Sequence, residues 1–176
     1  MSKFMNILGQ NAKKAALKKI STKVKNKILN RYVFLLDKKR NSIIKANAKD
    51  IKFALKKGLK NNLIDRLTVN YKKIDNIRNS INKIIKLKDP IDNTLEKWSR
   101  PNGLKIKRIS TPIGVIGVIY ESRPNVTSDV ASLCFKSGNA VILKGGSEAI
   151  NTNKILSKLF RKALKENKVN ENFIQF

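Results

Sequence analysis

Two short polar segments carry the residues of this sequence that could do chemistry. The first, Glu121–Asn125, follows an apolar run that ends at Tyr120. Arg123 offers a guanidinium fork for a carboxylate or an acyl phosphate, and Asn125 offers a neutral amide donor for a developing oxyanion. The alternative is a structural role, in which Arg123 pairs with Glu121 and Asn125 caps the following helix. The residues alone leave both interpretations open.

The second segment, Lys144–Glu148, is predicted to bind a cofactor. Gly145 and Gly146 allow the backbone to approach a ligand closely, while the N–H groups and dipole of the helix that follows favour an anion. A glycine pair that only forms a tight turn is the alternative. The sequence has neither a G-x-G-x-x-G nor a Walker motif, because Gly114 and Gly117 lie inside a predicted strand, where close packing explains them.

The apolar pattern places each polar segment after a strand of a parallel sheet. Val115–Tyr120 and Ala140–Leu143 are short apolar runs, typical of strands buried on both faces, and a helix from about residue 127 to 136 separates them before Gly138. Such a strand–helix–strand unit crosses over right-handedly, and its sheet binds ligands beyond the carboxyl ends of the strands. A helix from Ala149 to about Glu166 then leads to a third strand that begins near Phe173.

The first half of the chain is predicted to be helical. Ser21 and Thr22 form a cap signal, Thr68 is predicted to cap a later helix, and a helix over Ala48–Lys57 is predicted to end at Gly58. Apolar stripes mark the helices, and they are expected to be buried within the same domain instead of facing a partner chain. The stripes comprise Ile7, Leu17 and Ile20; Val24, Ile28, Leu29, Leu35 and Leu36; and Ile74, Ile77, Ile81 and Ile84.

A boundary is predicted at Lys88–Pro90, because proline ends helices and the next residues lose helical periodicity. The alternation from Gly103 to Ile109 predicts an amphipathic strand with lysines outward and Trp98 packed beneath it. The chain therefore divides into a helical part (1–90), an extended segment (91–111) and the first strand–helix–strand units (112–176).

Composition limits the chemistry that this chain could perform. Its 176 residues are 41% hydrophobic and include one cysteine and no histidine, which excludes a disulfide framework, a zinc site of Cys and His ligands, and a histidine base. The single cysteine, Cys134, lies mid-helix between Leu133 and Phe135, where a structural role is expected. No segment approaches the roughly 20 apolar residues of a membrane span, so a cytoplasmic protein is expected.

The formal net charge of +27 favours attraction to nucleic acid, anionic membranes or phosphorylated substrates. The lysines are not clustered, however, but alternate with asparagine and isoleucine throughout the chain. We interpret the charge as compositional bias of an AT-rich genome on solvated faces, with no specific nucleic-acid or membrane partner. A basic nucleic-acid-binding protein is the alternative.

The run from Pro112 to Glu148 closely resembles the gamma-glutamyl phosphate reductases, or glutamate-5-semialdehyde dehydrogenases, of the aldehyde dehydrogenase superfamily. Weaker agreement runs through Ala46–Asp50 and Asp65–Leu67. The resemblance covers nearly the whole chain but only the first part of the family's. It implies an α/β fold in which an N-terminal helical part leads into the first part of a Rossmann-like parallel sheet, which is incomplete here.

The resemblance implies NADPH-dependent reduction of gamma-glutamyl phosphate to glutamate-5-semialdehyde in proline biosynthesis. It implies that Lys144 contacts the adenosine ribose and its 2′-phosphate, which favours NADP, and that Ser147 or Glu148 reaches a ribose hydroxyl, with Gly145 and Gly146 in the same loop. The oxyanion role of Asn125 depends on an alignment that slips by one residue. The nucleophilic cysteine of the family lies beyond Phe176, so the isolated chain is expected to be inactive, and no metal is expected.

The same resemblance suggests partners. They are the two substrates named above, a complementary C-terminal chain or glutamate 5-kinase, and a second copy of the chain, because extended segments near 91–111 contribute to oligomer contacts in the superfamily. A non-catalytic dinucleotide-binding remnant is an alternative function.

Overall fold

The computed structural model describes residues 3–176 and has the expected α/β fold, with an N-terminal helical part followed by a small parallel sheet. The helices are α1 (Lys3–Ala16), α2 (Thr22–Lys38), α3 (Arg40–Lys56), α4 (Asn61–Leu67), α5 (Tyr71–Lys86), α6 (Pro124–Lys136) and α7 (Ile150–Glu166). The strands are β1 (Thr94–Ser99), β2 (Lys105–Ile109), β3 (Val115–Ile119), β4 (Ala140–Lys144) and β5 (Ile174–Gln175).

Strands β3, β4 and β5 form a parallel sheet in that order, connected by α6 and α7. One prediction was wrong: β3 is not buried on both faces, since Ile119 is 87% exposed. The reason is that β3 lies at an edge of the described sheet, with a neighbouring strand on one side only. β4, between two strands, is the buried one, and Ala140 and Val141 are fully buried.

Helices α6 and α7 pack on the sheet and on each other, while α1 contacts all three strands. Helices α2, α3 and α5 form a further layer against α6 and α7. Aromatic side chains fill the interior between these layers. The rings of Tyr32 and Phe160 stack with centroids 4.5 Å apart, and Phe135 meets both Phe160 and Phe173 edge-on. This packing fixes α6 and α7, which follow the two polar segments.

The helical half agrees with much of the apolar pattern. The hydroxyl of Ser21 accepts from the backbone N–H of Val24 and caps α2, as predicted. The stripe of four isoleucines on α5 is buried, and so are Ile28, Leu29, Leu35 and Leu36 on α2.

Three helix boundaries differ from the prediction. Helix α1 ends at Ala16, so Leu17 lies beyond it and is 79% exposed. Helix α3 begins at Arg40, well before Ala48. Thr68 ends α4 by bonding back to the carbonyl of Ile64, and Asn70 caps α5 instead. Threonine hydroxyls bond to carbonyls one turn back as readily as they cap, which explains this difference.

The extended segment contains a strand that the sequence pattern did not reveal. Strand β1 pairs antiparallel with β2, and Trp98 stands opposite Ile106. Trp98 therefore lies beside β2 and not beneath it, and it is 40% exposed. Every residue of β1 is exposed, so this two-stranded hairpin projects from the core. Among residues 3–176, no helix is long and apolar enough to cross a membrane.

Candidate functional site

The two polar segments lie next to each other at the carboxyl edge of the sheet. Ile119 of β3 pairs with Lys144 of β4, so both strands end at the same level. The backbone N–H of Tyr120 donates to the carbonyl of Lys144 at 3.1 Å and closes this end of the strand pair. The chain after β3 and the chain after β4 are therefore held in contact from their first residues.

The glycine pair is required because the two loops approach each other so closely. A Cβ atom at Gly145 would overlap Asn153 Nδ2 and lie 3.0 Å from the ring of Tyr120. A Cβ atom at Gly146 would overlap the hydroxyl of Ser122. Gly146 has φ of −59°, which any residue adopts, so backbone conformation does not explain it. The two glycines are therefore needed because the loops contact each other closely, and not because the turn requires a positive φ.

The Glu148 carboxylate joins the two loops. Ser122 Oγ donates to its Oε2 and Ser147 Oγ donates to its Oε1, each at 2.9 Å. Lys57 Nζ approaches Oε1 at 3.6 Å. The backbone N–H of Glu148, followed by the two serine hydroxyls, lowers the pKa of this carboxyl. Glu148 is therefore an anchored, ionised acceptor at the loop junction.

The second loop offers exposed polar side chains beside an anchored carboxylate. Lys144 and Ser147 are exposed at the end of β4, and the Glu148 carboxylate is an acceptor of the kind that binds ribose hydroxyls. The ammonium of Lys144 is exposed and could pair with an anion. The glycine pair, by contrast, leaves no cradle, since Tyr120 and Ser122 occupy the space that a side chain would fill.

The N-terminus of α7 is capped from within the chain. Asp50 on α3 is 1% exposed, and its carboxylate accepts from the N–H groups of Asn151 at 3.0 Å and Thr152 at 2.7 Å. The side chains of Asn151 and Thr152 also donate to this carboxylate, at 2.8 and 2.6 Å. The sequence predicted that the N–H groups at this helix end bind the anion of a ligand. In the structure the carboxylate of Asp50 accepts from the N–H groups of Asn151 and Thr152 instead.

The first polar segment is shorter than expected, because α6 begins at Pro124 and includes Asn125 in its first turn. The Asn125 amide donates to Asp129 at 3.3 Å, and burial raises the pKa of Asp129 in spite of this bond. Arg123 Nε lies 3.5 Å from Glu121 Oε2, as the structural alternative expected. Arg123, without a side-chain hydrogen bond, occupies the N-cap position that this alternative gave to Asn125.

Both loops line one cavity of about 410 Å³. Its other wall comes from α4 and the turn before it, through Leu59, Leu63, Arg66 and Leu67, and the loops contribute Glu121, Ser122, Arg123, Gly146 and Glu148. This volume is within the range of small-molecule sites, roughly 300–1,000 Å³. The structure thus brings Arg123 and Glu148 to one cavity, whereas Lys144 and Asn125 lie outside its lining.

The chain is 46% identical over 158 residues to a gamma-glutamyl phosphate reductase of Thermodesulfovibrio yellowstonii and 53% identical over 156 residues to one of Hydrogenobaculum sp.. The matches cover 90% and 87% of this chain but 38% and 35% of the relatives, so it spans less than half their length. The crystal structure of the Thermotoga maritima gamma-glutamyl phosphate reductase matches with a TM-score of 0.93 and 40% identity, covering 96% of this chain and 41% of that one.

The chain belongs, as an N-terminal portion, to the gamma-glutamyl phosphate reductase family. The gamma-glutamyl phosphate reductase structure of Saccharomyces cerevisiae agrees, with a TM-score of 0.90 at 32% identity over 99% of this chain and 46% of that one. An acetylating aldehyde dehydrogenase of Geobacillus thermoglucosidasius, 16% identical with a TM-score of 0.68, shows the shared fold alone. No model of a protein family matches the chain.

Cys134 has the surroundings of a structural residue. It lies in α6, is 8% exposed, and burial raises the pKa of its thiol. A raised pKa leaves little thiolate at neutral pH, whereas a nucleophilic cysteine needs a lowered one. Cys134 is also absent from the lining of the cavity between the loops. In the described part of the chain, no cluster of His, Cys, Asp and Glu could hold a metal ion.

Four residues at the site received no role from the sequence, namely Asp50, Lys57, Arg66 and Ser122. Asp50 and Arg66 lie in the two stretches of weaker family resemblance, which were the available signal. Ser122 lies between Glu121 and Arg123, but a serine in a loop has no distinctive pattern. These residues act through contacts between distant parts of the chain, such as Asp50 with Asn151, 101 positions away.

Proposed function

We propose that this chain supplies the substrate loop and the first cofactor loop of a gamma-glutamyl phosphate reductase. The reaction is the NADPH-dependent reduction of gamma-glutamyl phosphate to glutamate-5-semialdehyde in proline biosynthesis. The observation that supports it is the meeting of the two loops at one cavity, through the bond between Ser122 and Glu148, in a chain whose relatives carry that reductase's name.

In this proposal the second loop holds the adenosine end of NADPH. Glu148 accepts from a ribose hydroxyl, and the exposed ammonium of Lys144 pairs with the 2′-phosphate that distinguishes NADP from NAD. Ser147 orients the Glu148 carboxylate through their 2.9 Å bond. NADPH, when bound, supplies the hydride.

The first loop holds the substrate. Arg123 lines the cavity and binds an anionic end of gamma-glutamyl phosphate or glutamate-5-semialdehyde. The substrate's anion then replaces the Glu121 carboxylate as the partner of Arg123. Asn125 lies two positions after Arg123, in the first turn of α6, and its amide is available for an oxyanion only if the 3.3 Å bond to Asp129 opens.

The nucleophile comes from a complementary segment, because the one cysteine here is buried in α6. The chain alone is therefore inactive. The test mixes it with a second polypeptide that carries the C-terminal remainder of the Thermotoga maritima relative, and also fuses the two. The assay is phosphate-dependent reduction of NADP by glutamate-5-semialdehyde, the reverse reaction.

Turnover is expected only when both parts are present, and Cys134→Ser should leave it unchanged. Each part alone is the control. Turnover by this chain alone that disappears in Cys134→Ser would contradict the assignment of Cys134. Failure of both the mixture and the fusion to bind NADPH would contradict the proposed function itself.

The β1–β2 hairpin supports assembly with a second copy of the chain. Leu95, Trp98 and Leu104 are 59%, 40% and 56% exposed, and a two-stranded hairpin is marginally stable without a partner surface. Light scattering after size-exclusion chromatography is expected to give the mass of a dimer or of a larger assembly. Trp98→Lys is expected to shift the measured mass towards that of a monomer. A monomer for the unmodified chain would contradict this role.

A further inference from the structure

Two arginines from different parts of the chain meet one carboxylate at the mouth of the cavity between the loops. Arg66 on α4 places Nη1 4.0 Å from Glu121 Oε2, and Arg123 places Nε 3.5 Å from the same oxygen. All three side chains line the cavity. The side chains of Arg66 and Arg123 are 51% and 48% exposed, and that of Glu121 is 75% exposed.

These ion pairs are loose compared with others in the molecule. Arg31 Nε binds Glu166 at 2.6 Å, and Arg40 binds both oxygens of Asp75 through hydrogen bonds. Within residues 3–176, neither Arg66 nor Arg123 donates a side-chain hydrogen bond to Glu121 or to any other group. The two guanidinium groups together carry ten N–H donors at the mouth of the cavity. The one carboxylate close to them, that of Glu121, accepts no hydrogen bond from either.

The local charge balance favours an added anion. The cavity lining holds Arg66 and Arg123 against Glu121 and Glu148, and Lys57 adds a third cation beside Glu148. Glu148 is already engaged by Ser122 and Ser147 and does not reach either arginine. Within the described chain, Glu121 is therefore the only carboxylate that lies within 4.0 Å of either guanidinium group, and it is the most exposed of the three partners.

We propose that Arg66 and Arg123 form a two-sided binding site for an oxyanion of the substrate, and that Glu121 occupies this site until the substrate displaces it. The ligand is a carboxylate or phosphoryl group on a short aliphatic chain, because Leu59, Leu63 and Leu67 line the wall beside Arg66. Arginine suits this task, since its planar fork binds such groups in a bidentate manner. The identity of the ligand rests on the proposed function, whereas the anion site itself does not.

The experiment titrates inorganic phosphate and, separately, L-glutamate into the chain and follows backbone amide shifts of the two loops by NMR. Arg66→Ala is expected to weaken binding about tenfold, the loss of one charge-assisted pair. Glu121→Gln is expected to tighten binding about threefold, because the internal competitor is removed at an exposed site. Arg31→Ala, which breaks an ion pair far from the cavity, is the matched control and should leave the affinity unchanged.

Equal affinities in Glu121→Gln and the unmodified chain, or in Arg66→Ala and Arg31→Ala, would overturn the proposal. A third probe, adenosine 2′-monophosphate, decides the source of the oxyanion. Arg66-dependent binding of this nucleotide, tighter than that of phosphate and of glutamate, would assign the site to the cofactor and overturn the substrate assignment. Failure of the proposed function is distinguishable, since it would abolish NADPH binding by the fusion but leave phosphate binding to this chain intact.

Discussion

Replacement of Asp50 tests whether α7, and with it the second loop, is held by a buried carboxylate. Asp50→Ala removes four hydrogen bonds and leaves the backbone N–H of Thr152, a fully buried residue, without its partner. An unsatisfied buried donor costs about 1–3 kcal/mol. The buried hydroxyl of Thr152, which also loses its acceptor, adds about 1 kcal/mol. The donors of Asn151, which is exposed, regain water and add little.

The free energy of unfolding is therefore expected to fall by about 3 kcal/mol in Asp50→Ala. Asp50→Asn keeps one acceptor oxygen but turns an amide N–H₂ towards the N–H groups of α7. The free energy of unfolding of this variant is therefore expected to fall by about 2 kcal/mol. Urea unfolding followed by circular dichroism measures both. With a slope of about 2 kcal/mol/M, the alanine variant should unfold at a midpoint lower by about 1.5 M.

Asp65→Ala is the control for a lost acid on a neighbouring helix, because Asp65 is exposed on α4. It should change the unfolding free energy by no more than about 0.5 kcal/mol. A loss in Asp50→Ala as small as that in the control would refute the reasoning, since it would mean that the α7 N-terminus does not depend on the carboxylate.

Four further outcomes are expected. In the fusion of the two parts, Lys144→Ala should weaken NADPH binding by roughly 1.5–3 kcal/mol and NADH binding hardly at all, as measured by fluorescence titration. Equal losses for the two cofactors would mean that the lysine has only a structural role. Burial opposes ionisation of Asp89, but hydrogen bonds from Lys25, from Thr22 and from the backbone of Ile91 lower its pKa, so this carboxylate stabilises the fold above its unfolded pKa and loses that effect as the pH falls. Unfolding free energies of the unmodified chain and Asp89→Asn should thus converge below about pH 4, and a constant difference down to about pH 2 would contradict this. The Cys134 thiol should react with Ellman's reagent at least about tenfold more slowly in the folded chain than in urea, and equal rates would contradict its burial. Any DNA binding should fall on the order of 10³-fold between about 50 and 200 mM salt, whereas sequence-selective binding that persists would support the nucleic-acid alternative.

Local patterns predicted the elements whose stability depends on nearby residues. Ser21 needs only Val24, three residues away, to cap α2, and the isoleucine stripe of α5 follows from helical periodicity. Strand β1 was missed because its apolar residues, Leu95 and Trp98, do not alternate with each other and do not face a core. Ile119 was misjudged because an edge strand and a central strand of a parallel sheet have the same apolar sequence.

The site was predictable in its loops but not in its supports. The polar residues after β3 and β4 had to lie at one edge once the strands were parallel neighbours. The capping of α7 by Asp50 and the approach of Arg66 to Glu121 depend on how α3 and α4 pack, with partners 101 and 55 positions apart in the chain. No periodicity encodes such contacts, because they are set by tertiary packing.

The hydrogen bond between Ser122 and Glu148 gives the two loops a shared resource, the single oxygen Oε2. A ligand that displaced Ser122 from this oxygen would change how Glu148 is held in the other loop. Thermodynamic reciprocity would then require that a ligand bound beside Glu148 change the affinity of the first ligand by the same factor. One serine and one glutamate, 26 positions apart, thus form a direct contact through which binding at one loop could be linked to binding at the other.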